Sequence, residues 1–277
     1  MKLSLFSTLR GYRKEYLPKD IFSGIIIAAV SIPISMGYAQ ISGIPAVYGL
    51  YGSVLPILLF ALFSTSRQFI FGVDAAPAAI VGGALSTLSI AAESEAAMDY
   101  VPAIALFAGL WLFIFFLLHA DKIVDFISTP VMGGFISGIA VTIILMQIPK
   151  LMGSPAGSGE LLELTEHIFA ATKNISCLSL FMGLGTLVLI RTFKKLAPKF
   201  PMAIVIMALG VLSTIVFHVD EKGVVLLQSV ERGLPSLMIP DFGNVDLTQA
   251  AGRGLMVAVV IMAETLLAEN TFAFRND

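Results

Sequence analysis

Charged side chains punctuate this chain at long intervals, and the stretches between them are apolar throughout. Between Asp20 and Arg67 forty-six consecutive residues carry no charge, enough for two crossings of a ~30 Å hydrocarbon layer at ~20 residues each. Reading charge-free windows along the rest predicts eight spans, at about 21–43, 46–63, 74–91, 100–118, 126–148, 174–190, 200–218 and 252–272. Between the fifth and sixth spans, the segment around Glu160, Glu163 and Glu166 reads as a short surface helix. Between the seventh and eighth, Val224-Val225-Leu226-Leu227 reads as a short strand and Gly233-Leu234-Pro235 as a turn.

The third span departs from the others. It is preceded by the partly polar, β-prone stretch Ser64 to Phe71 and opens on Gly72-Val73-Asp74-Ala75-Ala76-Pro77. A Gly, an Asp and a Pro together at membrane depth predict an extended segment running into a short helix that starts inside the bilayer. Such a break is tolerated only where protein or a water-filled cavity satisfies the freed backbone. A helix N-terminus there exposes N–H groups and about half a positive charge, which suits an anion. Asp74 has two readings. It caps its own helix, or it competes with an anion for the same amides unless it is protonated.

Two further positions add to this picture. Pro33 lies mid-span in Ser31-Ile32-Pro33-Ile34-Ser35-Met36-Gly37-Tyr38-Ala39, where it removes a backbone donor and kinks the helix, with small residues beside it that allow close approach. Glu264 lies near the middle of the eighth span in Val259 to Leu267, and a carboxyl in such a setting is either neutral or paired with a cation. A hydrogen bond to a neighbouring helix is the plainer role for it. Glu269 is expected nearer the membrane edge. Gly134-Phe135-Ile136-Ser137-Gly138 reads as a close-packing patch, and Trp111 as lipid-facing or packed.

Composition narrows the class. Apolar residues make up 57% of the chain and charged ones 13%, with a mean hydropathy of +0.91, which marks an all-α integral membrane protein. With the N-terminus in the cytoplasm, twelve of the 17 Lys and Arg fall on the cytoplasmic side, as the positive-inside bias requires. Residues 1–19 read as a cytoplasmic segment with an interfacial helical turn rather than a cleavable signal. A net charge of −2 argues against nucleic acid. The single Cys177 cannot form an internal disulfide, and His119, His167 and His218 stand apart near expected membrane edges. No metal motif, nucleophilic triad or phosphate-cradling loop is present, so neither enzyme nor cofactor is expected.

Several motifs in order resemble one family. Asp20-Ile21-Phe22-Ser23-Gly24, Ile32-Pro33, Gly37-Tyr38-Ala39, Gly43-Ile44-Pro45, Tyr48-Gly49-Leu50-Tyr51 and Ser64-Thr65-Ser66-Arg67-Gln68 are similar to the N-terminal signature of the sulfate permease (SulP) anion transporters, the family of the animal anion exchangers and prestin. Ser128-Thr129-Pro130 through Gly138, Gln147 with Gly153, and Gly233-Leu234-Pro235 follow in the same order. The resemblance implies a fold of two inverted seven-segment repeats. This chain would hold the first repeat and the opening helix of the second, with residues 20–277 a partial transport domain and the later segments and STAS domain absent.

The resemblance also implies a pocket between the first, third and eighth segments and the start of the tenth. On this chain that points to Tyr38, Gly72, Val73, Asp74, Ala75 and Glu264, with Glu264 and Asp74 as coupling carboxyls. Three positions differ from the family pattern. Ile34 stands where many relatives have Gln, Val73 where many have Pro, and Ala268 where sodium-coupled bicarbonate relatives have a hydroxyl. The expected function is secondary active transport of a small inorganic anion across the plasma membrane, sulfate ahead of bicarbonate and proton ahead of sodium. The alternatives are a nucleobase transporter of the same repeat plan and a non-transporting fragment. Expected partners are the anion, the proton and the lipid bilayer, and a homodimer is compatible with the sequence.

Overall fold

The structure is a computed structural model, and it describes residues 11–64, 72–119, 129–155, 157, 161–196, 202–226, 233 and 240–276. At 129, 131, 132, 135, 136, 203 and 267–276 only the backbone is described. The described residues form α-helices α1 (Leu17–Ile41), α2 (Ala46–Phe63), α3 (Ala75–Thr87), α4 (Glu95–Leu117), α5 (Thr129–Leu151), α6 (Leu161–Thr172), α7 (Cys177–Leu196), α8 (Met202–Phe217) and α9 (Leu247–Asn276). Short 3-10 turns lie at Lys14–Tyr16 and Phe242–Asn244. Among the described residues there is no strand.

Five of these helices, α1, α2, α4, α7 and α9, are long and apolar enough to cross a membrane, and α3, α5 and α8 supply shorter apolar stretches. Each matches one of the eight spans expected from charge-free windows. The surface helix expected in the loop before α7 is α6. It contributes Leu164 and Ala171 to buried packing and leaves Leu161, Leu162 and Phe169 exposed.

Two expectations need correction. Val224, Val225 and Leu226, the described part of the expected strand, are irregular, and among the described residues no neighbouring strand is present to share a ladder. The turn at Gly233-Leu234-Pro235 and the extended run from Thr65 to Phe71 lie outside the described residues, apart from a bend at Gly233. Among the described residues, none has an atom within 4 Å of where a Cβ on Gly134 or Gly138 would sit, so these two mark no close helix contact there. Close approach occurs at other glycines. A Cβ on Gly82 of α3 would fall 2.1 Å from the carbonyl oxygen of Ile41 on α1, and one on Gly49 of α2 would fall 2.0 Å from that of Ser35. No side-chain rotation relieves a clash with backbone, so only Gly lets these helices meet.

Packing gathers most of the described helices into two groups, and α8 touches α1 and α7. α3, α4 and α9 share a core of Val81, Ala84, Ala103, Ile104, Ala108, Val257 and Ala258, with α1 and α2 laid against it. Trp111 of α4 belongs to this core rather than facing lipid. Its indole N–H donates to the carbonyl of Ala251 on α9 at 3.1 Å, which satisfies the one polar group of an otherwise apolar side chain. α5, α6 and α7 form the second group: Gly157 N–H donates to Met146 O at 2.9 Å, and Ser176 N–H to Met152 O at 2.9 Å.

Candidate functional site

The third crossing is interrupted. Residues 72–74 are not helical, Asp74 is extended at φ −126° and ψ 147°, and α3 begins at Ala75. Thirteen residues of α-helix rise ~20 Å, well short of a ~30 Å hydrocarbon layer. The sequence encodes the break directly. Asp74 favours the non-helical N-cap, and Pro77 in the first turn tolerates the absence of an N–H partner there.

Asp74 is the cap of α3. The Ala75 N–H donates to Asp74 Oδ1 at 2.6 Å, and the Ala78 N–H reaches Asp74 O at 3.4 Å. Pro77 has no N–H. The tip is therefore poorer in donors than a helix N-terminus normally is, since one amide is missing and another is held by the cap.

Three of the six candidate residues meet around this tip. The carboxyl of Glu264 on α9 faces that of Asp74, near enough for the two to bear on each other, and the negative charge of Asp74 also bears on the Tyr38 phenol of α1. Tyr38 and Glu264 are each half-buried, and Asp74 is exposed. Glu264 Oε2 is buried and receives no N–H or O–H from the described residues. Two carboxylates that face each other repel, and a proton or a cation between them would relieve that repulsion. Of the remaining three, Ala75 supplies the capped amide. Val73 packs toward α2, its Cγ1 3.7 Å from a Cβ placed on Gly52, and Gly72 has open space on its side-chain face.

Antiparallel packing of α9 on α3 produces this meeting. At the other end of α3, Arg253 Nη2 donates to Thr87 Oγ1 at 3.1 Å. Asp246 caps α9 by accepting from the N–H groups of Thr248 and Gln249 at 3.0 and 3.2 Å. With α9 started at that level, its register carries Glu264 down to the start of α3.

Sequence reasoning overlooked Lys150. The fifth span expected from the charge-free windows stops at about 148, ahead of it, yet α5 continues through Pro149 and Lys150 to Leu151. The Lys150 ammonium donates to Gln40 Oε1 of α1 at 2.7 Å. The readable signal was a Lys placed directly after an apolar run, where its long stem can lie along the helix while its charge reaches outward.

Elsewhere, a mostly apolar groove of about 540 Å³ runs between α4 and α9 past Leu112, Phe115, His119, Ile261 and Met262. Its lining contains none of the six candidates. Among the described residues no group of three or more His, Cys, Asp and Glu is placed to hold a metal.

Comparisons with known proteins converge on one group. The profile of the sulfate permease family matches residues 17–277. A Mycobacterium tuberculosis protein named "Probable sulfate transporter MT1781" is 24% identical over 266 residues, covering 96% of this chain and 47% of that protein. The chloroplastic sulfate transporter 4.1 of Arabidopsis thaliana is 29% identical over 284 residues, covering 96% of this chain and 41% of that protein. The chain thus spans less than half the length of these two relatives. Among solved structures, the transmembrane domain of a cyanobacterium bicarbonate transporter, BicA, superposes with a TM-score of 0.74 at 20% identity, covering 90% of this chain and 64% of that one. That likeness extends to the fold.

Proposed function

This chain is a member of the sulfate permease family, and we propose that it serves secondary active transport of a small inorganic anion across the plasma membrane, sulfate first and bicarbonate second, with a proton as the coupling ion. The N-terminus lies in the cytoplasm, which sets the Thr87 end of α3 toward the outside. The observation that supports this reading is the convergence of Tyr38, Asp74 and Glu264 on the start of the short helix α3.

The arrangement supports coupling through charge and through competition. An anion drawn to the start of α3 meets two carboxyls, and it is tolerated there when their negative charge is reduced by a bound proton. The Ala75 amide is occupied by Asp74. Protonating Asp74 weakens that acceptance and frees the amide for the anion, while the Tyr38 hydroxyl is a second donor on the facing helix. A proton taken up by the Asp74–Glu264 pair and an anion taken by the vacated donors then move together, which is symport.

The test is sulfate uptake into proteoliposomes containing the full-length protein, at two pH values, with and without sodium. Parent protein is expected to take up sulfate faster under an inward proton gradient, and Glu264→Gln to lose that dependence. Proton dependence unchanged in Glu264→Gln removes the coupling role. Labelled uracil uptake with no sulfate competition moves the cargo to a nucleobase.

A further inference from the structure

The side of α9 that meets α3 begins and ends in charge. Arg253 and Glu264 stand eleven residues apart on α9, which is three turns and a small remainder, so the two share one side of the helix with Val257 and Val260 between them. Val257 and Ala258 pack with Val81 and Ala84 of α3 in the core. The ends of α3 carry the opposite signs: Asp74 at its start faces Glu264, and Arg253 reaches Thr87 at its last residue.

Register matters at the carboxyl site because a helix turns as it slides. One residue of displacement advances it by about 1.5 Å and rotates it by about 100°, enough to take the Glu264 carboxyl off Asp74. Against α4, α9 is held by shape: a Cβ on Gly254 would fall 2.7 Å from Phe107 Cβ and 2.9 Å from Ala108 N, and the Trp111 indole bonds the nearby Ala251 carbonyl. Against α3 the packing is apolar and has no direction of its own. Among the described residues, the one hydrogen bond between α3 and α9 runs from Arg253 Nη2 to Thr87 Oγ1, at 3.1 Å. The Thr87 hydroxyl donates its own proton to Ala84 O at 2.9 Å, so toward Arg253 its oxygen is an acceptor. The guanidinium also stands at the C-terminal end of α3, where the last carbonyls carry about half a negative charge. A cation with a hydrogen bond to give suits that position.

We propose that Arg253 is a positioning residue for the coupling carboxyls: bonded to Thr87, it fixes the register of α9 on α3 and so keeps Glu264 opposite Asp74. The effect on coupling rests on the transport reading, whereas the register is independent of any cargo. Two residues at the far end of α3 from the site thereby acquire a part in its proton dependence. The titratable groups about Glu264 among the described residues are Asp74, Tyr38 of α1, which feels the Asp74 charge, and His119 just past α4, which lines the groove with Thr265 and Leu266.

Two readouts on the full-length protein test this. The first reports register alone: in a Cys177→Ser background, Asp74→Cys and Glu264→Cys are joined by a short bifunctional thiol reagent. Adding Arg253→Met or Thr87→Val is expected to cut the cross-linking yield several-fold, and Thr87→Ser to leave it near the reference. The second is sulfate uptake against pH with both carboxyls intact. Arg253→Met and Thr87→Val are expected to move the half-maximal pH by about one unit, because the repulsion between two carboxyls depends on their separation. Arg253→Lys and Thr87→Ser should stay near the parent, and Arg253→Met should add nothing to the pH profile of Glu264→Gln. Size-exclusion profiles in detergent identify any variant that fails to fold, and Thr87→Val, which keeps the shape of the side chain, then decides. Unchanged cross-linking in the folded variants overturns the proposal, as does a pH shift that persists in Glu264→Gln. Reduced cross-linking in a protein whose uptake ignores pH keeps the register and removes the coupling reading, whereas unchanged cross-linking with uptake that follows pH does the reverse.

Discussion

The carboxyl of Asp74 at the start of α3 faces the carboxyl of Glu264 on α9, while Asp74 also holds the first amide of its own helix. One side chain therefore serves both as a cap and as half of an acid pair. Changes at the two positions should be strongly non-additive. With sulfate uptake as the readout, Asp74→Asn combined with Glu264→Gln is expected to depart from the sum of the single effects by about 0.5–3 kcal/mol, the range for contacting residues. Strict additivity would place the two groups in separate roles.

Close helix contacts at glycine are expected to be unforgiving. Gly82→Ala puts a methyl group against the Ile41 carbonyl oxygen, and it should lower stability by at least about 2 kcal/mol through forced separation of α1 and α3. Gly134→Ala, which meets open space, should stay within about 0.5 kcal/mol of the parent. Thermal unfolding in detergent, followed by size-exclusion chromatography, distinguishes the two.

Trp111 ties α4 to α9 through the Ala251 carbonyl. Trp111→Phe keeps most of the ring and loses the donor, so the expected cost is about 1 kcal/mol. A fall in melting temperature without loss of uptake is the expected result. Unchanged melting would mean that water or lipid replaces the bond.

Tyr12 lies ahead of the first span, and its hydroxyl donates to Asp20 Oδ2 at 2.5 Å. That hydrogen bond, with some desolvation and the Asp20 charge, pushes the phenol above its ordinary 10.0. Because the protonated form is the one favoured by folding, the stabilisation is fully present below pH 10 and is lost as pH rises through the raised value. Tyrosinate absorbance, taken as the difference between parent and Tyr12→Phe, should show a titration above 10 that returns toward it in Asp20→Asn.

The long charge-free windows made the eight apolar helices legible, because hydrocarbon imposes length and polarity at once. The break before α3 was legible for the same reason: Gly72, Asp74 and Pro77 together have few other uses at that depth. What stayed hidden depends on who the neighbours are. Gly134 and Gly138 have the spacing of a packing motif, yet the close contacts fall at Gly49, Gly82 and Gly254, and only tertiary structure chooses among them. Tyr38 carries no local signal of a site and was reached through family resemblance alone. Lys150 was lost to a boundary drawn three residues early, since Pro149 ends many helices and here lies within one.

The brevity of α3 bears on how the chain is made. A helix too short to reach both faces cannot settle by itself, and one of its principal supports, the Arg253 contact with Thr87, comes from a residue 166 positions further along. At usual rates of synthesis that interval lasts on the order of ten seconds. Throughout it, the half-crossing must be sheltered by α1 and α2, so biogenesis has a vulnerable window that closes only when α9 emerges.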